Sequence, residues 1–234
     1  MALYDRDYIQ NQAAQGYTQS SEQSATRLST FIKQTYQLFA ASLLAASAGA
    51  YVGMSMAPAI ASWFWPLVIL EFVCLFGLYA AKKKAGLNLV LLFAFTFLSG
   101  LTLTPLLSVI LGMPGGAGIV TNAFVLTTVA FGGLSVFAMN TSRDFSGMGK
   151  MLFIALIIMV VAGLINIFLG SPLFQLAIAS VGAILFSAFI LYDTQNIIKG
   201  AYETPIEGAI ALYLDFLNLF VSLLQIFGIL NNNE

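Results

Sequence analysis

The sequence predicts an all-α integral membrane protein with seven transmembrane helices, and three observations carry that prediction. Of its 234 residues, 59% are hydrophobic and 8% charged, with a mean hydropathy of +0.91. Soluble domains carry about 25% charged residues. Apolar runs long enough to cross a bilayer, about 20 residues each, recur along the chain. The lysines and arginines fall in alternate gaps between those runs, as in a chain threaded back and forth.

Residues 1–30 are polar, rich in Gln, Ser and Tyr, and include Asp5, Arg6, Asp7, Glu22 and Arg27. They lack the basic start, short apolar core and small-residue cleavage site of a signal peptide. They are expected to form a cytoplasmic tail, with a docking segment for a partner as the alternative. The transmembrane domain follows over 31–230, with spans near 31–53, 63–81, 87–111, 119–139, 150–170, 173–193 and 208–228. Pro58, Pro114-Gly115-Gly116, Gly170-Ser171-Pro172 and Pro205 punctuate the gaps, as residues that interrupt helices do. Connections this short force successive helices to be antiparallel. Ala45, Gly49, Gly132, Gly133 and Gly182 mark places where backbones are expected to approach closely. Residues 231–234 form a polar C-terminus.

The cations set the orientation. Arg6, Arg27 and Lys33 precede or begin the first span, and Lys82, Lys83 and Lys84 follow the second. Arg143 and Lys150 separate the fourth and fifth, and Lys199 follows the sixth. The gaps around 54–62, 112–118 and 170–172 carry none. The positive-inside rule then makes the N-terminus cytoplasmic and the protein multi-pass.

Composition also excludes. A net charge of −1 gives no basis for nucleic-acid binding. The single cysteine, Cys74, lies in an apolar run, so no intrachain disulfide is possible. With no histidine, a zinc site has almost no donors, and a response to pH near neutrality has to come from carboxylates. No cofactor is expected.

Three acids lie within spans: Glu71, Asp193 and Asp215. A charged side chain at hydrocarbon depth costs roughly 2.5–3.5 kcal/mol on insertion scales, so such residues face a bundle interior and carry function. Asp215 therefore makes the last span the inner helix. If Lys199 and Glu207 mark the interface, Asp193 lies about 9 Å and Asp215 about 12 Å inward along antiparallel helices. At similar depth, the two carboxyls can meet. They cannot both ionise cheaply where water is scarce, so the pair is expected to share a proton and titrate as a unit.

Lys82 is the cation nearest in depth, and its long stem can carry the ammonium toward Asp193 or Asp215 as a counter-ion. Protonation that released this contact would open the site in acid. Asn196 and Asn218 each stand three residues after an aspartate, on the same helix face. Carboxylate and amide oxygens together suit a hard cation, so Asp193 and Asp215 are the candidate calcium-contacting groups. Glu71, Asn196 and Asn218 are candidates for lining an ion path.

The runs Phe189-Ile190-Leu191-Tyr192-Asp193-Thr194-Gln195 and Ala211-Leu212-Tyr213-Leu214-Asp215-Phe216-Leu217-Asn218-Leu219-Phe220 carry a recognisable pattern. With Ser99-Gly100-Leu101-Thr102-Leu103-Thr104-Pro105, they resemble the bacterial branch of the transmembrane Bax-inhibitor-motif (Bax inhibitor-one) family. The likeness spans the chain from about Phe31 onward. It implies six helices wrapped around a central C-terminal one, and a pH-sensitive calcium leak gated at a di-aspartyl sensor matched by Asp193 and Asp215. With no targeting signal in view, the bacterial branch also implies a bacterial cytoplasmic (inner) membrane as the location. The bacterial pattern can carry arginine where this chain has Lys82, which keeps the charge and loses the planar fork.

The function expected is thus a non-enzymatic calcium leak, its partners the lipid bilayer, calcium and protons. A regulator that binds another membrane protein, such as a membrane protease, is the alternative. An intramembrane aspartyl protease also needs two facing aspartates, but Leu212-Tyr213-Leu214 stands where such enzymes need glycines.

Overall fold

The computed structural model describes the backbone of residues 4–232 and side chains from residue 23 onward. The polar segment expected over 1–30 therefore lies largely outside the described side chains. The helices are α1 (Tyr4–Ser55), α2 (Ala57–Ser62), α3 (Phe64–Ala81), α4 (Leu87–Thr102), α5 (Thr104–Leu111), α6 (Gly116–Asn140), α7 (Gly149–Leu169), α8 (Pro172–Ile198) and α9 (Pro205–Asn231). A single 3-10 turn, Ser146–Met148, precedes α7. Seven stretches are long and apolar enough to cross a membrane: Gln23–Ser55, Phe64–Ala81, Leu87–Leu111, Gly116–Asn140, Ser146–Leu169, Pro172–Ile198 and Pro205–Asn231. Each matches an expected span to within a few residues, apart from the first, whose helix starts well ahead of residue 31.

Two local features depart from simple spanning rods. The third span breaks at Leu103 into α4 and α5, with Pro105 in the first turn of α5. Proline has no N–H to donate and fits only the first turn, so a helix restarts there. The gap after α1 holds the short helix α2, opened by Pro58 in its first turn.

Half of the apolar window of α9 is buried inside the protein, against 11–39% for the other six spans. Leu212, Tyr213, Ile210, Leu219 and Leu224 are buried almost completely. The helix packs on α8, α1, α6 and α4. Phe216 meets the rings of Phe39 at 6.0 Å and Phe131 at 5.6 Å edge-on, and those two stack at 4.9 Å. Aromatic pairs at these separations add to simple area burial and fix the rotation of α9 against α1 and α6. By contrast α7, mostly exposed to the surroundings, packs chiefly on α8.

A close helix approach joins α1 to α4. A Cβ on Gly100 would collide with the carbonyl oxygen of Ala46, and one on Gly49 with that of Phe97. Gly182 would meet the Ser222 Oγ and Met159 Sδ. Gly132 and Gly133, expected to serve the same purpose, have nothing within 4 Å of a built Cβ. They lie on a side of α6 that faces no other helix so closely.

Gly100→Val should lower the melting temperature in detergent by several degrees, because backbone cannot yield as a side chain can. Gly132→Ala should leave it unchanged or slightly higher, since alanine also favours the helix. Equal losses from both would refute the assignment of the α1–α4 contact.

Candidate functional site

The α8 segment from Asp193 to Ile197 is buried throughout. Each polar side chain in it has a separate task. Thr194 Oγ1 donates to Ser135 Oγ of α6 at 3.3 Å. Gln195 Nε2 donates to the Arg143 carbonyl at 2.7 Å, and its Oε1 accepts from the Phe145 N–H at 2.7 Å. These bonds tie the α6–α7 connection to α8. Lys199 reinforces the tie through a 2.6 Å ion pair with Asp144.

Asp193 turns toward α9. It is 6% exposed, and Asp215 on α9 is 4% exposed. The two carboxyls are close enough across the α8–α9 contact to act on one another. Asn196, one turn further along α8, is buried beside Asp193. Tyr202, from the α8–α9 connection, donates its hydroxyl to Asp193 Oδ1 at 2.6 Å. Asp215 Oδ2 is buried with no hydrogen-bond partner among the described residues. Buried polar atoms without partners are rare and costly.

The backbone explains how Tyr202 arrives there. Gly200 adopts a positive φ of 66°. The N–H of Ala201 bonds the Asn196 carbonyl at 2.8 Å, and the N–H of Gly200 bonds that of Ile197 at 3.1 Å. This left-handed glycine closure of a helix C-terminus reverses the chain, so that Tyr202 folds back over Asp193. Thr204 and Glu207 then form a reciprocal cap on α9: Glu207 Oε2 accepts from the Thr204 N–H at 3.1 Å and from the Glu203 N–H at 3.0 Å.

Lys82 does not serve as the counter-ion expected from depth. Its ammonium bonds Glu207 Oε1 at 2.7 Å and Glu203 Oε2 at 3.3 Å. Lys83 pairs with the same Glu203 oxygen at 2.8 Å. These glutamates raise the Lys82 ammonium above its ordinary range, chiefly through the Glu207 hydrogen bond. Depth along a helix gave the right neighbourhood; it could not give rotation about the axis, and Glu207 lies nearer. The T-x-x-E spacing of a capping box was the sequence signal that could have placed Glu207. No sequence signal marked Tyr202.

Glu71 belongs to a second polar cluster. Its Oε2 accepts from Thr102 Oγ1 at 2.8 Å. Nearby, the Ser99 hydroxyl bonds that of Tyr213, which is fully buried in α9. Glu71, Ser99, Thr102 and Leu217 border a cavity of about 220 Å³. Asn218 is half-buried and gives its amide to the Leu214 carbonyl of its own helix at 2.8 Å. A third cluster, unforeseen from the sequence, chains Asn166 to Gln175 and Gln175 to Gln225, each bond at 2.8 Å. It lies at the other end of α8 and α9. Among the described residues, no three His, Cys, Asp or Glu side chains gather as a metal site.

Residues 28–232 match the family model described as inhibitor of apoptosis-promoting Bax1. The chain belongs to the Bax inhibitor-1 family. It is 60% identical to an uncharacterized Campylobacter jejuni protein over 99% of this chain and all of that one. An uncharacterized membrane protein of Vibrio cholerae is 40% identical over 92% of this chain and 96% of its own. A Golgi anti-apoptotic protein of vaccinia virus is 38% identical over 67% of this chain and 65% of its own. This Bax inhibitor-1 family member is thus a multi-pass membrane protein, related to a protein named as anti-apoptotic.

The Lys199–Asp144 pair yields a signed expectation. Lys199 and the Ser146 side chain and N–H hold the Asp144 carboxyl well below its ordinary value. A depressed folded-state value stabilises above the unfolded value near 3.9 and is lost as pH falls through the folded one. Asp144→Asn should therefore lower thermal stability slightly at pH 7, and the gap from wild type should close toward about pH 2. A gap that persists in acid would show that Asp144 acts otherwise than through charge.

Proposed function

We propose that this protein is a pH-sensitive calcium leak of a bacterial cytoplasmic membrane, N-terminus cytoplasmic, gated at Asp193 and Asp215. One observation carries the reading: two carboxyl side chains, on adjacent spans, meet in a buried place that offers Asp215 Oδ2 no donor. Such a pair holds together through a shared proton and repels when bare. Its protonation state therefore bears directly on the α8–α9 contact. Glu71, beside its cavity, is an oxygen donor on the proposed path. Lys82 acts at one remove, by fixing Glu207 and Glu203 at the start of α9.

A second reading has a specific observation behind it. A relative bears the name of a Golgi anti-apoptotic protein, which fits a regulator that binds another membrane protein without conducting.

Calcium flux into liposomes, followed from about pH 5 to 8, tests both. Wild type should leak with a pH-dependent rate. Asp215→Asn and Asp193→Asn should change the rate about tenfold and flatten its pH dependence. Wild-type flux and pH profile in Asp215→Asn would refute the gate, and flux no greater than in empty liposomes would leave the regulator reading.

A further inference from the structure

The α8–α9 connection, residues 199–204, is fastened in two ways that differ in kind. On the outside, Glu203 is bound by Lys83 and Lys82 at the end of α3. Glu203 is about half exposed, so this fastening is screened by salt. On the inside, Tyr202 is half-buried, packs against the main apolar core and donates to Asp193.

We propose that Tyr202 is the positioning residue through which this connection reads the charge of the aspartate pair. Its hydroxyl holds the connection down while Asp193 is a carboxylate, and releases it when the pair is fully protonated. This rests on the reading above that the pair changes protonation. A hydrogen bond to an ionised acceptor is about twice as strong as one to a neutral group. Removing the charge on Asp193 therefore weakens the inner fastening in place.

The surrounding groups do not compete for that role. Asp215 and Glu207 face the site from α9, Tyr79 and Lys82 from α3 and its end, Lys83 and Glu203 from the rim, and Tyr192 and Asn196 from α8. Burial and then the charge of Asp193 push the Tyr202 phenol far above its ordinary value, so it remains a donor. Lys83 and Lys82 hold Glu203 below its ordinary value, so the outer fastening keeps its charge through the neutral range. Ordinary lysines and phenols titrate near 10. The sign follows: acid loosens the connection, through Tyr202 and not through Lys82.

Hydrogen exchange of the amides of Gly200, Ala201, Glu203 and Thr204, all hydrogen-bonded, measures the fastening directly. Protection factors are compared at pH 8 and pH 6 in the full chain. Wild type should lose about fivefold protection at the lower pH, the scale of exchanging a charged for a neutral acceptor. Tyr202→Phe keeps the packed ring; it should be about fivefold less protected at pH 8 and show no pH difference. Glu203→Gln should lose protection at both pH values and keep the difference. Wild-type protection in Tyr202→Phe, or a pH difference that survives in it, overturns the proposal. If these results hold while liposomes show no calcium flux, the leak reading fails and the Tyr202 role stands. If Asp215→Asn alters flux while Tyr202→Phe behaves as wild type, the reverse is true.

Discussion

The meeting of Asp193 and Asp215 is the constraint around which the bundle is arranged. Each carboxyl alone would be expensive at this depth, and two together more so unless a proton or a cation lies between them. Their neighbours offer little relief. Ile190, Ile197, Ile210 and Leu212 on the same two helices are almost fully buried, and the hydroxyl of Tyr202 donates to Asp193. The pair therefore fixes the register of α8 against α9. A slide of one turn, about 5.4 Å, would leave each acid alone among aliphatic side chains.

Everything that anchors this contact converges on a few residues at one end of α9. Gly200 reverses the chain, Tyr202 covers Asp193, Glu203 takes Lys82 and Lys83, and Glu207 caps the helix while holding Lys82. The far side of α8 is fastened to the α6–α7 connection by Gln195 and Lys199. The end of α3 is thereby ion-paired to the start of α9, without Lys82 pairing with either aspartate. Under the proposed leak, the end of α3 and the aspartate pair are coupled through the connection between them.

Much of the architecture was legible because hydrophobic length is a one-dimensional signal. Seven apolar runs and their proline and glycine punctuation place the spans, and residue counts from Lys199 and Glu207 place two aspartates at one depth. What failed needed rotation about a helix axis. Lys82 has the depth of the aspartates but meets Glu207. Gly132 and Gly133 have the composition of a contact and make none, while Gly100 abuts the Ala46 carbonyl. The break at Leu103 was not expected within the span 87–111, although Pro105 stands just after it. Gln175 and Gln225 are 50 residues apart in sequence and meet only through the fold.

The polar groups of α9 lie on two faces, and packing separates their roles. Asp215, Asn218, Ser222 and Gln225 are spaced three, four and three apart, so they share the face toward α8 over about 15 Å. Tyr213 points the other way, to Ser99 of α4. The face toward α8 looks like a continuous route, yet Gly182 stands close against Ser222 midway, where even a methyl group would collide. That contact sets the α8 backbone against a hydroxyl of α9 and narrows the seam there. The opposite face has a cavity of about 220 Å³ bordered by Glu71, Ser99 and Thr102. Under the proposed leak, the Glu71 side is the better-suited passage. The α8–α9 seam would then carry the signal and the α3–α4–α9 side the ion, an arrangement in which the sensing carboxyls need not line the narrowest part of the path.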